Sequence, residues 1–258
     1  MSQIDQRAVI DPSAELGEGV SIGPFSVIGA DVKIGRGTTI GPHVVINGTT
    51  RIGEDNRIFQ FASVGEDPQD KKYGGEPTWL EIGDRNVIRE FVTINRGTQQ
   101  DAGTTRIGSD NLFMAYTHVA HDCQIGNDVI MANAASIGGH VHISDHTILG
   151  GFTIVHQFCR IGAYSFCAMG SVISKDLPPY VMVSGHPAKP YGINTEGLRR
   201  RQYSEQAIRQ IKRAYKLLYK SQLRLDEAIE SIREMAGEAP EVGIMVDFIA
   251  QGGRSILR

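Results

Sequence analysis

The chain has 258 residues, of which 41% are hydrophobic and 21% are charged, and its formal net charge is −3 at pH 7. A charge so close to neutral gives no reason to expect nucleic acid or a membrane surface as a partner. No apolar run approaches the roughly 18 residues of a membrane span, and the first residues lack the apolar core of a signal peptide, so we expect a cytoplasmic protein.

An aliphatic side chain recurs every six residues through most of the chain. The series runs through residues 4–64, returns over 82–94 and, after a slip of one residue, continues over 107–173. A period of six fits neither a helix nor a flat strand, and it indicates a short strand followed by a corner. Three such units close a coil, and coils stack as parallel strands about 4.8 Å apart. The pattern therefore predicts a mainly β protein with a parallel β-helix over residues 1–179.

The three cysteines show no spacing typical of a disulfide framework, which fits a reducing compartment. Cys123 and Cys159 fall four positions after an aliphatic residue, where the repeat usually has a small inward side chain, and Cys167 falls at an aliphatic position. We therefore expect all three to be core side chains rather than catalytic residues or metal ligands.

Two interruptions of the repeat predict loops, near residues 66–80 and 95–106. The first is charged, contains Gly and Pro, and has Asp70 and Glu76 where aliphatic residues are due. If both interruptions are loops, they leave the same edge of the β-helix, whereas a full coil over 65–81 would separate them. Burying two carboxylates in a core is unfavourable, so we favour the loops.

The repeat ends near residues 178–179, where two prolines follow each other. We expect a connecting segment over 180–203 and then helices, since the apolar residues change to helical spacing. The first helix is predicted after a cap at Ser204, the second spans 225–235, and a short third covers 242–250. Residues 180–258 are therefore predicted to form a small helical domain.

Three histidine-bearing corners follow one another at intervals of 18 residues, so they are predicted to stack along one edge beside both loops. They contain His121-Asp122, Gly139-His140 and His156-Gln157. An imidazole next to a carboxylate suits general-base catalysis, and the Gly139 N–H could stabilise a developing oxyanion. Without a G-x-S-x-G motif or a P-loop, direct transfer fits better than a covalent intermediate. The alternative is that polar residues simply occupy exposed corners.

Two basic clusters lie in the C-terminal quarter. Residues 199–201 are three consecutive arginines, which suit either phosphate binding or simple solvation. A stripe at helical spacing lies opposite the apolar face of the first predicted helix, and it suits either solvation or an acidic partner. The stripe consists of Arg209, Arg213, Lys216 and Lys220.

Several segments together resemble the acyl-carrier-protein-dependent UDP-N-acetylglucosamine O-acyltransferases, the family that starts lipid A synthesis. The resemblance covers nearly the whole chain, including the helical region. The segments are IGPHVVINGTTRIG (40–53), QDKKYGGEPT (69–78), IGDRNVIRE (82–90), HVAHDCQIGN (118–127), GGHV (138–141), VHQFCRIGA (155–163) and NTEGLRRR (194–201).

This resemblance implies a left-handed β-helix, a homotrimer with sites between subunits, and transfer of an R-3-hydroxyacyl group from acyl carrier protein to the sugar 3-hydroxyl. It implies neither cofactor nor metal, because the thioester is itself a substrate. His121 matches the family's base, Asp122 its partner and Gly139 the oxyanion donor. The matching substrate-binding residues are Asp70, Lys72, His118, His140, His156 and Gln157 for sugar, acyl chain or nucleotide, and Asn194, Glu196, Arg200 and Arg201 for the nucleotide and its phosphates.

Three positions distinguish this chain within the family pattern. Met169 stands where the family has either Gly or a bulkier residue at the floor of the acyl groove, so it is predicted to limit acyl-chain length. Asn95 stands where the family often has histidine, and Pro187 follows His186 where a histidine is common.

Other classes of protein share parts of this pattern. The related N-acyltransferases carry a further domain before their repeats, whereas here the repeat begins at Ile4. A zinc carbonic anhydrase on the same fold would use three histidines, and His118, His121 and His140 are the candidates. A non-catalytic scaffold would leave the loop at 66–80 and the arginine run without a function.

Overall fold

The computed structural model describes residues 3–258, in which short strands are followed by helices. The strands are β1 (Gln3–Ile4), β2 (Val9–Ile10), β3 (Glu15–Leu16), β4 (Ser21–Ile22), β5 (Val27–Ile28), β6 (Lys33–Ile34), β7 (Thr39–Ile40), β8 (Val45–Ile46), β9 (Thr49–Ile52), β10 (Arg57–Ile58), β11 (Ser63–Glu66), β12 (Trp79–Ile82), β13 (Val87–Ile88), β14 (Thr93–Asn95), β15 (Thr104–Ile107), β16 (Leu112–Phe113), β17 (His118–Val119), β18 (Gln124–Ile125), β19 (Ile130–Met131), β20 (Ser136–Ile137), β21 (His142–Ile143), β22 (Ile148–Leu149), β23 (Ile154–Val155), β24 (Arg160–Ile161), β25 (Phe166–Cys167), β26 (Val172–Ile173), β27 (Val181–Ser184) and β28 (Lys189–Ile193). The helices are α1 (Thr195–Arg200), α2 (Glu205–Tyr219), α3 (Leu225–Ala236) and α4 (Gly243–Ala250), with a 3₁₀ turn at Pro240–Val242.

The strands form three sheets, parallel except for the β27–β28 pair, and these sheets are the faces of a left-handed β-helix. The repeat predicts the stacked coils, and the family resemblance implies their left hand. From β1 to β23, each strand pairs with the strand three places further along the chain, so successive coils stack directly. The first sheet begins β1-β4-β7, the second β2-β5-β8, and the third contains β3-β6-β9. In-register pairs such as Ile28 with Ile46 bring the aliphatic residues of the repeat above one another. These side chains fill the core.

The small inward side chains complete this core. Ser26 is buried, and its hydroxyl donates to the Gly41 carbonyl (2.8 Å) and accepts from the Val44 N–H (3.1 Å). Cys123, Cys159 and Cys167 are buried too, as the repeat predicts. Burial raises the pKa of Cys123 and Cys167 to about 12 and that of Cys159 to about 11, so these thiols stay protonated.

The corners hold non-glycine residues with positive φ, a conformation that side chains other than Asn and Asp seldom adopt. Asp122 (φ 58), His140 (φ 61) and Phe158 (φ 64) follow one another along one edge. Backbone hydrogen bonds between coils fix this geometry: the His140 N–H donates to the His121 carbonyl and the Phe158 N–H to that of Gly139, both at 3.0 Å. The residues at these corners therefore form a fixed ladder along the edge.

The edge between the first and second sheets carries a different ladder, made of stacked rings. Neighbouring ring centroids are 4.8–5.2 Å apart. Four of the five side chains are large exposed hydrophobics. The rings belong to Phe25, His43, Phe61, Phe91 and Tyr116.

Both loops connect the second sheet to the third. The first joins β11 to β12 and the second joins β14 to β15, and the histidine corner between β17 and β18 joins the same two sheets. The loops and the histidines therefore share one edge, the arrangement expected if residues 65–81 form no coil.

The expected connecting segment after residue 179 is wrong in one respect. Residues 181–184 and 189–193 form the hairpin β27–β28, which extends the first sheet beyond β25. The first strand pairs in parallel with Phe166–Cys167, so it covers the end of the sheet that would otherwise be left unpaired. The division into two domains at residue 180 stays a prediction.

The helices begin and end close to the predicted positions. Ser204 caps α2 by accepting from the Ala207 N–H (3.1 Å), and the buried residues of this helix include Ile208 and Ile211. α1, between Thr195 and Arg200, was not predicted. Within residues 3–258, no helix has the length and apolar character needed to cross a membrane.

Candidate active site

The central pair of the candidate site is His121 and Asp122, at the corner between β17 and β18. His121 donates from Nδ1 to Oδ2 of Asp122 at 2.8 Å, so its Nε2 is left for another partner. The His121 side chain keeps 12% of its surface exposed, whereas the Asp122 side chain is fully buried. The pair therefore has the arrangement of a general base held in one tautomer by a carboxylate.

Asp122 is itself fixed by Thr98 of the second loop. The Thr98 N–H donates to Oδ1 (2.9 Å) and its hydroxyl donates to Oδ2 (2.6 Å). Burial acts to raise the pKa of the Asp122 carboxyl, but the hydrogen bonds from His121 and Thr98 outweigh it and lower that pKa. The carboxylate therefore stays ionised at neutral pH and can stabilise an imidazolium.

Gly139 lies directly against the His121 ring. A Cβ at this position would be 2.5 Å from Cε1 and 2.7 Å from Nε2 of His121, which no side chain could tolerate without displacing the imidazole. The predicted use of its N–H as an oxyanion donor stays a prediction, but the absence of a side chain here is a steric requirement.

His140 stands beside this pair with three neighbours. Its ring stacks on Phe158 (centroids 4.4 Å apart, interplanar angle 8°) and meets His121 edge to face at 5.0 Å. Its Nδ1–H donates to Oδ2 of Asp101, in the second loop, at 2.7 Å.

A cleft of about 620 Å³ opens in front of these histidines. Five of the predicted site residues line this cleft, and they come from the first loop and from the stacked corners. Its lining consists of Gln69, Asp70, Lys72, Gln100, Asp101, His121, His140, Gln157 and Phe158.

The base of the first loop is held by two residues that follow β14's Ile94. The Asn95 amide donates to the Asp67 carbonyl (2.6 Å). The Arg96 guanidinium, which is nearly buried, pairs with the Asp67 carboxylate and donates to the Gly65 carbonyl (2.6 Å) and the Tyr73 hydroxyl (3.0 Å). Asn95, a departure from the family pattern, therefore attaches the loop that carries Asp70 and Lys72.

Two further predicted residues lie in, or directly after, strands of the second sheet. His118 points outward from β17, where its Nδ1 shares a hydrogen bond with the Thr93 hydroxyl (2.7 Å). Burial, and to a lesser degree the charge of His121, lowers the pKa of His118. His156 is exposed, and its Nδ1–H donates to the Gln157 carbonyl (3.0 Å).

The predicted nucleotide residues lie elsewhere on the chain. Asn194 caps α1 by accepting from the Gly197 N–H and anchors it by donating to the Tyr164 carbonyl, both at 3.0 Å. Tyr164 lies between β24 and β25, on the edge between the third and first sheets. None of the residues at 194–201 lines the cleft. Glu196 is exposed and pairs with Arg199, and Arg200 and Arg201 are exposed.

Met169 lies on the edge between the first and second sheets, in the corner between β25 and β26. It is 76% exposed, so within one chain it fills no cavity. Its predicted role in limiting chain length therefore depends on a surface outside this chain.

One group within residues 3–258 brings potential metal ligands together. His121, Asp122 and His140 offer atoms within 4.8 Å of one another. His118, which the carbonic anhydrase alternative requires, is not part of this group. The Asp122 carboxylate already accepts hydrogen bonds from His121 and Thr98, which a metal ion would have to displace.

Several residues of the site escaped the sequence interpretation. Gln69, Gln100 and Phe158 line the cleft without having been predicted. Arg96, Thr98 and Asp101, which hold the loops and the histidines, were missed as well. Arg96, Thr98 and Asp101 lie in or beside the second loop, where the six-residue period assigns no residue to a face or a corner. The only sequence feature that could have identified these three residues is that they are polar and lie in or beside a long loop next to the stacked corners.

Comparison with known proteins identifies related chains over the whole length. Two family models match: "Udp N-acetylglucosamine O-acyltransferase; Domain 2" over residues 176–257, and "Bacterial transferase hexapeptide (six repeats)" over 13–48 and 104–139. An acyl-[acyl-carrier-protein]–UDP-N-acetylglucosamine O-acyltransferase of Alkalilimnicola ehrlichii is 62% identical, and the alignment covers all of both chains. One of Pseudomonas putida is 54% identical over the same full coverage.

Solved structures agree with this relationship. The crystal structure of a UDP-N-acetylglucosamine O-acyltransferase of Moraxella catarrhalis has a TM-score of 0.97 and 46% identity, covering 99% of each chain. An Arabidopsis UDP-N-acetylglucosamine acyltransferase has a TM-score of 0.87 and 35% identity, covering 99% of this chain and 100% of the other. The chain therefore belongs to the acyl-[acyl-carrier-protein]–UDP-N-acetylglucosamine O-acyltransferase family.

Proposed function

We propose that this enzyme transfers an R-3-hydroxyacyl group from acyl carrier protein to the 3-hydroxyl of UDP-N-acetylglucosamine, the first step of lipid A biosynthesis, in the cytoplasm. The observation that carries this proposal is the His121–Asp122 pair. Its free Nε2 stands at a cleft that both loops help to line, in a chain of this family. The substrates are those named by the related enzymes.

The reaction proceeds by direct attack. Nε2 of His121 removes the proton of the sugar 3-hydroxyl while that oxygen attacks the thioester carbonyl, and Asp122 stabilises the resulting imidazolium. The Gly139 N–H donates to the oxyanion of the tetrahedral intermediate. Collapse breaks the carbon–sulfur bond, and the carrier-protein thiolate takes the proton back from His121. No bond to the enzyme forms.

The donor is already activated as a thioester, so the chemistry calls for neither a cofactor nor a metal. We therefore propose that turnover is independent of added metal and survives dialysis against a chelator. Loss of activity on chelation, with recovery on adding zinc, would instead favour metal-assisted chemistry at His121, Asp122 and His140.

The substrate contacts are proposed in two sets. The first set is Asp70, Lys72, His140 and Gln157, which line the cleft, together with His118 and His156, which lie near the lining residues His121 and Gln157 in the chain. The nucleotide set is Asn194, Glu196, Arg200 and Arg201.

The two sets lie on different edges of the β-helix. A single substrate molecule that contacts both sets therefore binds between two chains. This separation supports a homotrimer with the cleft between subunits. The exposed aromatic ladder supports the same assembly, because it offers an apolar edge for burial. Sedimentation equilibrium tests it, with a single species of three chains expected and a monomer contradicting it.

The experiment for the reaction itself is mass spectrometry of products. Purified enzyme is incubated with a panel of R-3-hydroxyacyl carrier proteins and, in separate reactions, with UDP-N-acetylglucosamine or an amino-sugar acceptor. We expect a UDP-sugar ester that is cleaved by mild alkali. Acylation only of an amino-sugar acceptor, giving an alkali-stable amide, would show an N-acyltransferase, and no acyl product from any donor would contradict the proposal.

A further inference from the structure

The second loop does more at this site than anchor Asp122. Its ends are pressed together: the Gly97 N–H donates to the Trp79 carbonyl (3.1 Å), and the Trp79 N–H donates to the Gly103 carbonyl (2.8 Å). Inside the loop, the N–H groups of Asp101 (3.3 Å) and Gly103 (3.1 Å) both donate to the Thr98 carbonyl. The loop is therefore a closed turn, fixed to the buried Asp122 through Thr98.

This turn presents Asp101 to His140, which lies 39 residues further along the chain. The Nδ1–Oδ2 distance of 2.7 Å is that of a charge-assisted hydrogen bond. The His140 side chain is 13% exposed and that of Asp101 46%, so the contact lies at the cleft surface but within the site.

His140 could rotate about its side-chain bonds without this contact. Phe158 stacks on the face of the ring, and a flip of about 180° about the Cβ–Cγ bond would keep this stacking while exchanging the two edges of the ring. The bond to Asp101 removes that freedom. It fixes Nδ1 towards the loop and places Nε2 3.9 Å from Oδ2 of Asp122, at the inner side of the cleft.

We propose that Asp101 is a positioning residue for the acceptor sugar: it fixes the His140 imidazole in the orientation that contacts the UDP-sugar. This inference rests on the proposed function for its kinetic consequence. Thr98 holds Asp122, the partner of His121, and Asp101 holds His140, so one loop aligns the two histidines by separate contacts.

The proposal predicts a division between kinetic constants. Asp101→Asn is isosteric and removes the charge, and we expect it to raise the KM for UDP-N-acetylglucosamine about five- to tenfold, the effect of one charge-assisted hydrogen bond at a half-exposed position. The kcat should stay within about twofold, because His121, Asp122 and Thr98 are untouched. Asp101→Glu should recover part of the affinity.

Two controls separate this role from general loop damage. Gln99→Ala changes an exposed neighbour in the same loop that does not line the cleft, and should leave both constants unchanged. In a His140→Asn background, Asp101→Asn should have no additional effect on KM, since the two residues act as one unit.

A spectroscopic readout does not depend on turnover. In protein labelled with ¹⁵N-histidine, the His140 Nδ1 resonance, assigned by its loss in His140→Asn, should shift in Asp101→Asn and stay in place in Gln99→Ala. This arm reports on the contact even if the protein acylates a different acceptor. An unchanged resonance, a KM within twofold of the parent, or a loss confined to kcat would each overturn the proposal.

Discussion

At the scale of single residues, the site depends on a glycine at position 139 as well as on its polar side chains. His121 can lie flat against the next coil only because residue 139 has no side chain. The same corner gives Asp122 a buried position where Thr98 satisfies both carboxylate oxygens. Gly139 therefore allows the position of His121, Asp122 fixes its tautomer, and Thr98 helps to keep Asp122 ionised.

Gly139→Ala tests this steric requirement. The added Cβ must displace the His121 imidazole, and a misplacement of about 1 Å is enough to reduce kcat about 10²-fold. Gly192→Ala is the matched control, because a Cβ there meets no atom within 4 Å. Steady-state rates and circular dichroism of both variants provide the measurement. A Gly139→Ala enzyme within threefold of the parent rate would contradict this account.

At the scale of elements, the repeat made most of the fold predictable. A period of six assigns each residue a face or a corner, so the stacked histidines and the shared edge of the two loops follow from counting. The interior of a loop has no period, which is why Arg96, Thr98 and Asp101 were not found. The hairpin β27–β28 was missed because prolines and glycines interrupt its pattern, and pairing with β25 stabilises it nonetheless.

Met169→Gly tests the predicted limit on chain length. In the proposed trimer, Met169 would face a neighbouring subunit and fill space that a longer acyl chain needs. Each buried methylene contributes about 0.8 kcal/mol, and overfilling a pocket costs about 1–3 kcal/mol, so we expect the parent to prefer a shorter hydroxyacyl chain. The family resemblance implies that this chain is nearer to about ten carbons than to about fourteen.

The variant should shift preference towards longer donors and leave the KM for UDP-N-acetylglucosamine unchanged, as measured by competition between carrier-protein donors. Met169→Leu, which keeps the volume, should behave like the parent. An unaltered chain-length profile in Met169→Gly would exclude the role.

The basic stripe on α2 is predicted to meet acidic acyl carrier protein. Arg209, Arg213, Lys216 and Lys220 are all exposed. Arg213→Glu with Lys216→Glu should raise the KM for the acyl donor about three- to tenfold and weaken its dependence on salt. Arg233→Glu, on α3, is the control charge reversal. A change in only the KM for the UDP-sugar would assign the stripe to the nucleotide instead.

At the scale of the whole molecule, three histidines with lowered pKa values make stability depend on pH. Burial is the largest cause that lowers the pKa of His118, His142 and His146 in the folded chain. The unfolded chain, with ordinary histidines near pKa 6.5, therefore binds more protons around and below that pH. Stability should be greatest above about pH 7.5 and fall as the pH drops through 6.5.

Thermal unfolding at matched ionic strength measures this effect. We expect a Tm lower by a few degrees at pH 5.5 than at pH 7.5. His142→Gln, outside the cleft, should reduce the difference, because one of the three imidazoles with a lowered pKa is gone. The Asp122 carboxyl, whose pKa is lowered, affects stability only below about pH 4. An equal or higher Tm at pH 5.5 would contradict the assignment.

The most direct measurement is the turnover of His121→Ala with hydroxyacyl carrier protein and UDP-N-acetylglucosamine, both saturating. His121 lies at a corner, outside the aliphatic core, so the variant should keep the fold and the oligomeric state of the parent. Loss of a general base reduces the rate about 10²–10⁴-fold, and we expect a kcat in that range, with His142→Gln retaining the parent rate. A folded His121→Ala enzyme that keeps more than a tenth of the parent activity would show that His121 is not the base.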